Sequence, residues 1–249
     1  MSHRSAGIGG PSRSPVTDLP TPLWNHLLAT VPDEDRRRIY AHLEPVWLPL
    51  GMALHEPGAQ MASVYFPTTA IVSLQCELEN GASAEVSVIG NEGIVGIELF
   101  MGTDSMPNRP VVVSAGHAYR LRGPLLKDEF AHTEAVHRLL HRYTMALLTQ
   151  MAQTAVCNRH HSVDQRLCGW FLHSLDRLPT TQLAMTHELI ASMLGVRREG
   201  VTVAAGRLQD AGLISYHRGV ITVLDRCGLE ARVCECYEII RKEFERLLP

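Results

Sequence analysis

The sequence predicts an α+β chain: an N-terminal antiparallel β-roll, a long dimerisation helix and a C-terminal winged helix-turn-helix. Three observations carry this. Short β-rich segments alternate with turn signals between Val46 and Arg122. From Glu134 to Thr154 the apolar residues form one helical stripe. From Met185 to Leu224 two short helical patterns meet at a glycine, and a hairpin follows. With 249 residues, 45% of them hydrophobic and 20% charged, the chain has material for two modest cores. The expected organisation is a flexible tail at 1–20, an effector-like β-roll at 21–132, a dimerisation helix and hinge at 133–162, and the winged module at 163–249.

The first twenty residues are rich in Ser, Gly and Pro and lack the apolar centre of a signal peptide. No apolar run approaches the length of a membrane span, so a cytoplasmic protein is expected. Leu23 to Leu28 and Asp33 to His42 read as short helices. Val64 to Phe66, Ala70 to Leu78, Ala84 to Ile89 and Val111 to Ser114 are strand candidates, rich in β-branched or aromatic residues. Pro57-Gly58, Asn80-Gly81 and Gly90-Asn91 supply turn chemistry between them.

In the long helix Val136, Leu140, Tyr143, Leu147 and Met151 follow at steps of four, three, four and four. Such spacing buries a seam between paired helices, and these five residues are the expected dimer interface. Cys157 to Ser162 would be the hinge. Val163 to Leu178 follows as a helix with Leu167, Trp170, Phe171 and Leu175 on its apolar face, and Leu229 to Leu248 as a last amphipathic helix.

In the stretch from Met185, Thr186 can cap a helix whose buried face is Leu189, Ile190, Met193 and Leu194. Gly195 breaks it, and a second helix buries Val201, Ala204, Ala205 and Leu208 before Ala211-Gly212 stops it. Leu213 to Tyr216 and Val220 to Leu224 form the hairpin, with His217-Arg218-Gly219 as its turn. The exposed start of the second helix carries Arg197, Arg198 and Glu199. A purely structural helix would not be expected to open on two adjacent arginines, and these side chains suit base edges and phosphates. From Arg197 to Arg218 four arginines face two acids, within a chain whose formal net charge is −3. A reader of directed contacts is indicated, not a nonspecific coat.

Leu194-Gly195-Val196-Arg197-Arg198-Glu199-Gly200-Val201 and Leu208-Gln209-Asp210-Ala211-Gly212-Leu213-Ile214 resemble the DNA-binding end of the Crp/Fnr family of bacterial transcription regulators. The resemblance runs from about residue 21 onward, specific in the C-terminal module and loose in the roll. It implies a homodimer that presents two recognition helices about 34 Å apart to a palindromic site. Double-stranded DNA, a second copy of the chain and RNA polymerase are the partners it implies. Arg198 and Glu199 are expected to read bases, Val203 to pack on a thymine methyl, and Arg197, Thr202 and Arg218 to contact the backbone.

The roll of such proteins resembles cyclic-nucleotide-binding domains, whose cassette places a glutamate directly after a glycine and a hydroxyl residue directly after an arginine. Here Gly96-Ile97-Glu98 shifts the acid by one residue, and Arg109 is followed by Pro110. Glu98 and Arg109 are the candidate effector pocket, with cyclic-nucleotide binding expected to be weak or lost. No cofactor is expected.

His137 and His141 stand four apart but lack identifiable further ligands, so no metal site is expected. Cysteines stand at 76, 157, 168, 227, 234 and 236, without the spacing of a disulfide framework. The N-terminal cysteines that hold a cluster in some Fnr-type relatives have no counterpart before Cys76. Cys234 and Cys236, placed on one helix, would point about 200° apart and read as inert thiols.

The chain contains no His-x-His, Gly-x-Ser-x-Gly, His-Glu-x-x-His or phosphate-cradling glycine loop, so a cupin-like metal enzyme is the least favoured reading. A β-roll sensor with weak or lost DNA binding is the other alternative. The favoured reading is a sequence-specific DNA-binding regulator and not an enzyme.

Overall fold

The computed structural model describes residues 19–248, so nearly all of the expected tail lies outside the described residues. After a 3₁₀ turn at Pro22–Trp24 come the short helices α1 (His26–Ala29) and α2 (Asp33–Tyr40). The roll consists of β1 (Glu44–Leu48), β2 (Ser63–Pro67), β3 (Ile71–Glu77), β4 (Ser83–Ile89), β5 (Arg109–Ser114) and β6 (Gly116–Arg122). They form two antiparallel three-stranded sheets, ordered β1-β6-β2 and β4-β3-β5. Four of the six strands were legible as strands. β1 was not, because Pro45 and a mostly exposed run give it no alternating apolar face. In β6 His117 and Arg120 interrupt the apolar pattern.

The β4-β3-β5 sheet is covered on both faces, and accordingly its strands carry buried apolar residues on both sides. Val72, Ile89 and Val112 enter the core of the roll. Their neighbours Ile71, Val88 and Val113 enter a second core, built from the C-terminal helices. One pleated sheet thus serves two cores, because successive strand residues face opposite ways. Across the same boundary Ser83 and Ser192 share a 2.7 Å hydrogen bond. Arg177 Nε donates to Glu92 Oε1 at 2.9 Å, both side chains being largely buried.

Helix α3 (Gly123–His132) leads into α4 (Glu134–His160). The helix runs six residues beyond the expected Thr154, so Cys157 to His160 belong to it and not to a hinge. The break falls at His161-Ser162. There Ser162 and Gln165 form a reciprocal capping box at the start of α5 (Val163–Arg177).

The expected dimer seam requires correction. Val136, Leu140, Tyr143 and Leu147 are buried in the roll's own core, and Met151 packs against it. The periodicity is real, but the partner is the chain's own roll. Tyr143 Oη donates to the Ile94 carbonyl at 3.1 Å. On the other side of the helix Met145, Leu148 and Val156 lie exposed.

Gly93 permits the close approach of α4, since a Cβ there would lie 2.4 Å from Tyr143 Oη. Gly93→Ala is therefore expected to destabilise by about 1–3 kcal/mol through overpacking. Thermal melts check this, and an unchanged midpoint would refute the contact.

The C-terminal module adds β7 (Gln182–Ala184), α6 (His187–Leu194), α7 (Arg198–Asp210), β8 (Ile214–His217), β9 (Val220–Val223), α8 (Arg226–Glu230) and α9 (Glu235–Leu247). The wing has three strands, ordered β7-β9-β8, instead of the expected two. The single last helix expected from Leu229 is two helices, and α9 packs back along α4. Tyr143 and Phe244 meet edge-on with centroids 6.4 Å apart. No helix among the described residues is long and apolar enough to cross a membrane.

Candidate nucleic-acid interface

Thr186 caps α6 by accepting from the Leu189 N–H at 3.2 Å. Gly195 ends that helix in the left-handed region at φ 61°, a conformation nearly free for glycine and costly for other residues. The chain then turns through Val196 into α7. Arg197 stands at the N-cap and makes no side-chain cap bond. That forgoes about 0.5–2 kcal/mol of capping and leaves its guanidinium free.

Val201, Ala204, Ala205 and Leu208 are buried against the second core, as expected from their spacing. The opposite side presents Arg198, Glu199, Thr202 and Val203, all exposed. Among the described residues no carboxylate pairs with Arg197, Arg198 or Arg218, whereas Arg207 pairs with Asp164 at 3.2 Å. The positive end of the helix dipole adds to the two free guanidinium groups at its start.

Four contacts missing from the sequence reading brace this surface. His187 Nδ1 lies 3.0 Å from Thr202 Oγ1, and the Thr202 hydroxyl donates to the Arg198 carbonyl at 3.1 Å. The His187 ring stacks on Tyr216 of β8 at 4.4 Å. Gln209 Oε1 accepts from the Tyr216 N–H at 3.0 Å. The helix-turn-helix and the wing are thereby joined through side chains. Such tertiary pairs leave no local signature, although Tyr216 itself lies on the first hairpin strand that the sequence predicts. Burial first, then the charge of Arg198, holds the His187 imidazolium below its usual range. The stability contributed by its neutral form is fully present above about pH 6.5 and is lost as pH falls through the lowered folded value.

His217 and Val220 pair across the wing, leaving Arg218 and Gly219 as a two-residue turn with φ 49° and 79°. Two positive φ values define the type I′ hairpin turn, where Asn-Gly is the favoured sequence. An arginine there carries about 1–2 kcal/mol of strain. Arg218→Asn is expected to raise stability by about 1 kcal/mol while weakening DNA binding on every sequence and lowering the salt slope by about one per half-site. Melts and salt titrations report the two effects separately; tighter binding would remove Arg218 from the interface.

A family model for the Crp-like helix-turn-helix domain matches residues 165–232, which span α5, α6, α7 and the wing. Known structures extend the match across the roll. A protein from Eubacterium rectale assigned to the Crp/Fnr family of transcriptional regulators superposes with a TM-score of 0.64 at 17% identity, over 84% of this chain and 98% of its own. The chain has the Crp/Fnr fold. FixK2 from Bradyrhizobium japonicum superposes with a TM-score of 0.64 at 16% identity, over 77% of this chain and 98% of its own. The c-di-GMP responsive regulator CLP of Xanthomonas campestris gives 0.60 at 17% identity, over 78% and 100%. No curated protein matches the chain in sequence.

Within the Crp/Fnr roll the structure does not join the two candidate pocket residues. Arg109 grips Glu56 with two bonds, of 3.0 and 3.2 Å, and reaches Glu77 at 3.5 Å. Glu98 is buried on a 3₁₀ turn with Oε2 lacking a hydrogen-bond partner, and burial pushes its carboxyl upward. The arginine is engaged by surface acids, and the acid is enclosed by the core. His137 and His141 are exposed and pack edge-on beside Phe130, with ring centroids 4.4 Å apart.

Proposed function

We propose that the chain is a sequence-specific DNA-binding transcription regulator that acts as a homodimer on a palindromic site. The observation that carries this reading is the group of unpaired arginines, Arg197 and Arg198 at the start of α7 and Arg218 on the wing. They lie on one module, where the opposite side of α7 is buried through Val201, Ala204, Ala205 and Leu208. Arg198 is the guanine reader and Glu199 accepts from cytosine. Val203 packs on a thymine methyl, Arg197 and Arg218 hold phosphates, and Thr202 joins them once its hydroxyl leaves the Arg198 carbonyl. Binding-site selection from random duplexes tests it directly. An enriched palindrome is expected, and failure to enrich any motif at moderate salt would favour a sensor that has lost DNA binding.

The homodimer forms through the outward face of α4, at Met145, Leu148, Ala152 and Val156. These residues follow at steps of three, four and four, and all are exposed in the single chain. RNA polymerase is the further partner of such a regulator.

Cyclic AMP and cyclic GMP are expected to bind weakly. Each missing hydrogen bond to the charged phosphate costs roughly 1.5–3 kcal/mol, and Arg109 would first have to leave Glu56. Calorimetry with low-micromolar affinity for either nucleotide would overturn this.

A further inference from the structure

Cys157, His161, Cys234 and Cys236 converge at the junction of α4 and α9. Cys157 lies on the last turn of α4, and His161 is its C-cap, with extended backbone and its N–H donating to the Cys157 carbonyl at 3.0 Å. The expectation that Cys234 and Cys236 point apart fails for a specific reason. Cys234 is the N-cap of α9, with extended backbone at φ −79° and ψ 165°, and so is not on the helix. Both thiols therefore turn toward α4.

The four ligand atoms all lie within 4.8 Å of one another. The sulfurs of Cys157 and Cys234 are 3.6 Å apart, and Cys236 Sγ lies 3.6 Å from His161 Nδ1. A tetrahedral ion with Zn–S bonds of about 2.3 Å and a Zn–N bond of about 2.0–2.1 Å requires edges of roughly 3.8 Å between sulfurs and 3.5 Å between sulfur and nitrogen. Both measured edges fall close to these values.

The surroundings match as well. His161 presents Nδ1 to the cluster while its Nε2 lies 3.4 Å from Glu235 Oε2. That is the carboxylate–histidine arrangement that fixes the tautomer of a metal-bound imidazole. Three thiolates around a divalent ion leave one negative charge. The largely buried Arg166 guanidinium stands near enough to feel Cys157 and Cys234. Without a cation the thiols resist ionisation: burial and then the Cys234 sulfur hold Cys157 above its ordinary range, and burial pushes Cys236 up to about 11. A bound divalent ion reverses that preference and releases the thiol protons to solvent.

We propose that Cys157, His161, Cys234 and Cys236 form a closed tetrahedral site for one zinc-type divalent ion, which fastens the end of α4 to the start of α9. Thiolate and imidazole donors select a borderline-soft cation over magnesium or calcium. Four protein ligands leave no open position, so the site is structural and not catalytic.

The test uses full-length protein purified with reductant and without chelator from zinc-supplemented medium. Mass spectrometry of metals is expected to find one zinc per chain, surviving gel filtration. Cys157→Ser and Cys234→Ser should each lose most of it, whereas Cys227→Ser and Cys76→Ser should retain it. Cobalt(II) added to metal-stripped wild type should produce the d–d bands of a tetrahedral thiolate site, a readout independent of whether the variants fold. Restoring zinc to stripped protein should raise the melting midpoint by roughly 5–15 °C. The metal site is overturned by less than half an equivalent of zinc with no tetrahedral cobalt spectrum, by an iron–sulfur chromophore, or by a Cys157–Cys234 disulfide in metal-free protein. An unchanged midpoint on zinc addition overturns the fastening role.

Discussion

Leu147→Asp is expected to unfold the protein, while Leu148→Asp, one residue along the same helix, leaves it folded and separates the dimer. Leu147 is 1% exposed and Leu148 is 51% exposed. An unpaired carboxylate in the roll's core costs several kcal/mol, or forces protonation at similar expense. A typical domain has only about 5–15 kcal/mol in total. At Leu148 the same carboxylate stays in water within one chain and is desolvated only where two copies of α4 meet. Circular dichroism melts and light scattering distinguish the outcomes. A folded Leu147→Asp protein with a near-native midpoint would refute the core assignment. A dimeric Leu148→Asp protein would move the interface elsewhere.

Arg198→Ala is expected to cost roughly 1–3 kcal/mol per half-site, or roughly 30- to 10⁴-fold on an operator with two half-sites. The loss should concentrate at one base pair in each half, because a bidentate guanidinium distinguishes guanine from the other bases. Arg197→Ala should weaken all sequences alike and flatten the salt dependence, as expected for a phosphate contact. Fluorescence anisotropy on the selected site and its single-base variants checks both. If Arg198→Ala leaves affinity and base preference unchanged, base readout belongs to another part of α7.

How much of this was legible in the sequence depended on how local each feature is. Thr186, Gly195, the buried positions of α7 and the Arg218-Gly219 turn are fixed by neighbours a few residues away, and their elements follow from the sequence with small shifts at the ends. The stripe Val136, Leu140, Tyr143, Leu147 and Met151 was equally visible, yet its partner was not. A helical period reports that a face is covered, not whether a second helix or the chain's own sheet covers it. Cys234 and Cys236 failed for the opposite reason. Their geometry depends on one helix boundary, and a shift of a residue there turns two divergent thiols into neighbours. The partnership of Arg109 with Glu56 spans 53 positions and has no local trace.

The return of α9 to α4 alters the mechanics of the molecule. A reading head hung on one hinge swings freely, and a sensor must then restrain it. Here the head leaves the stalk at Ser162 and is fixed to it again at α9, so it is held like a door with a strut across it. Arg166, just past the break at Ser162, donates to the Leu194 carbonyl at the end of α6, where the chain turns into α7. A twist at the foot of the stalk is therefore passed through Arg166 to the α6–α7 turn. Motion between the two parts is held to a small screw displacement, because the C-terminal core also rests on Ile71, Val88 and Val113 of the roll and takes in Tyr237 of α9.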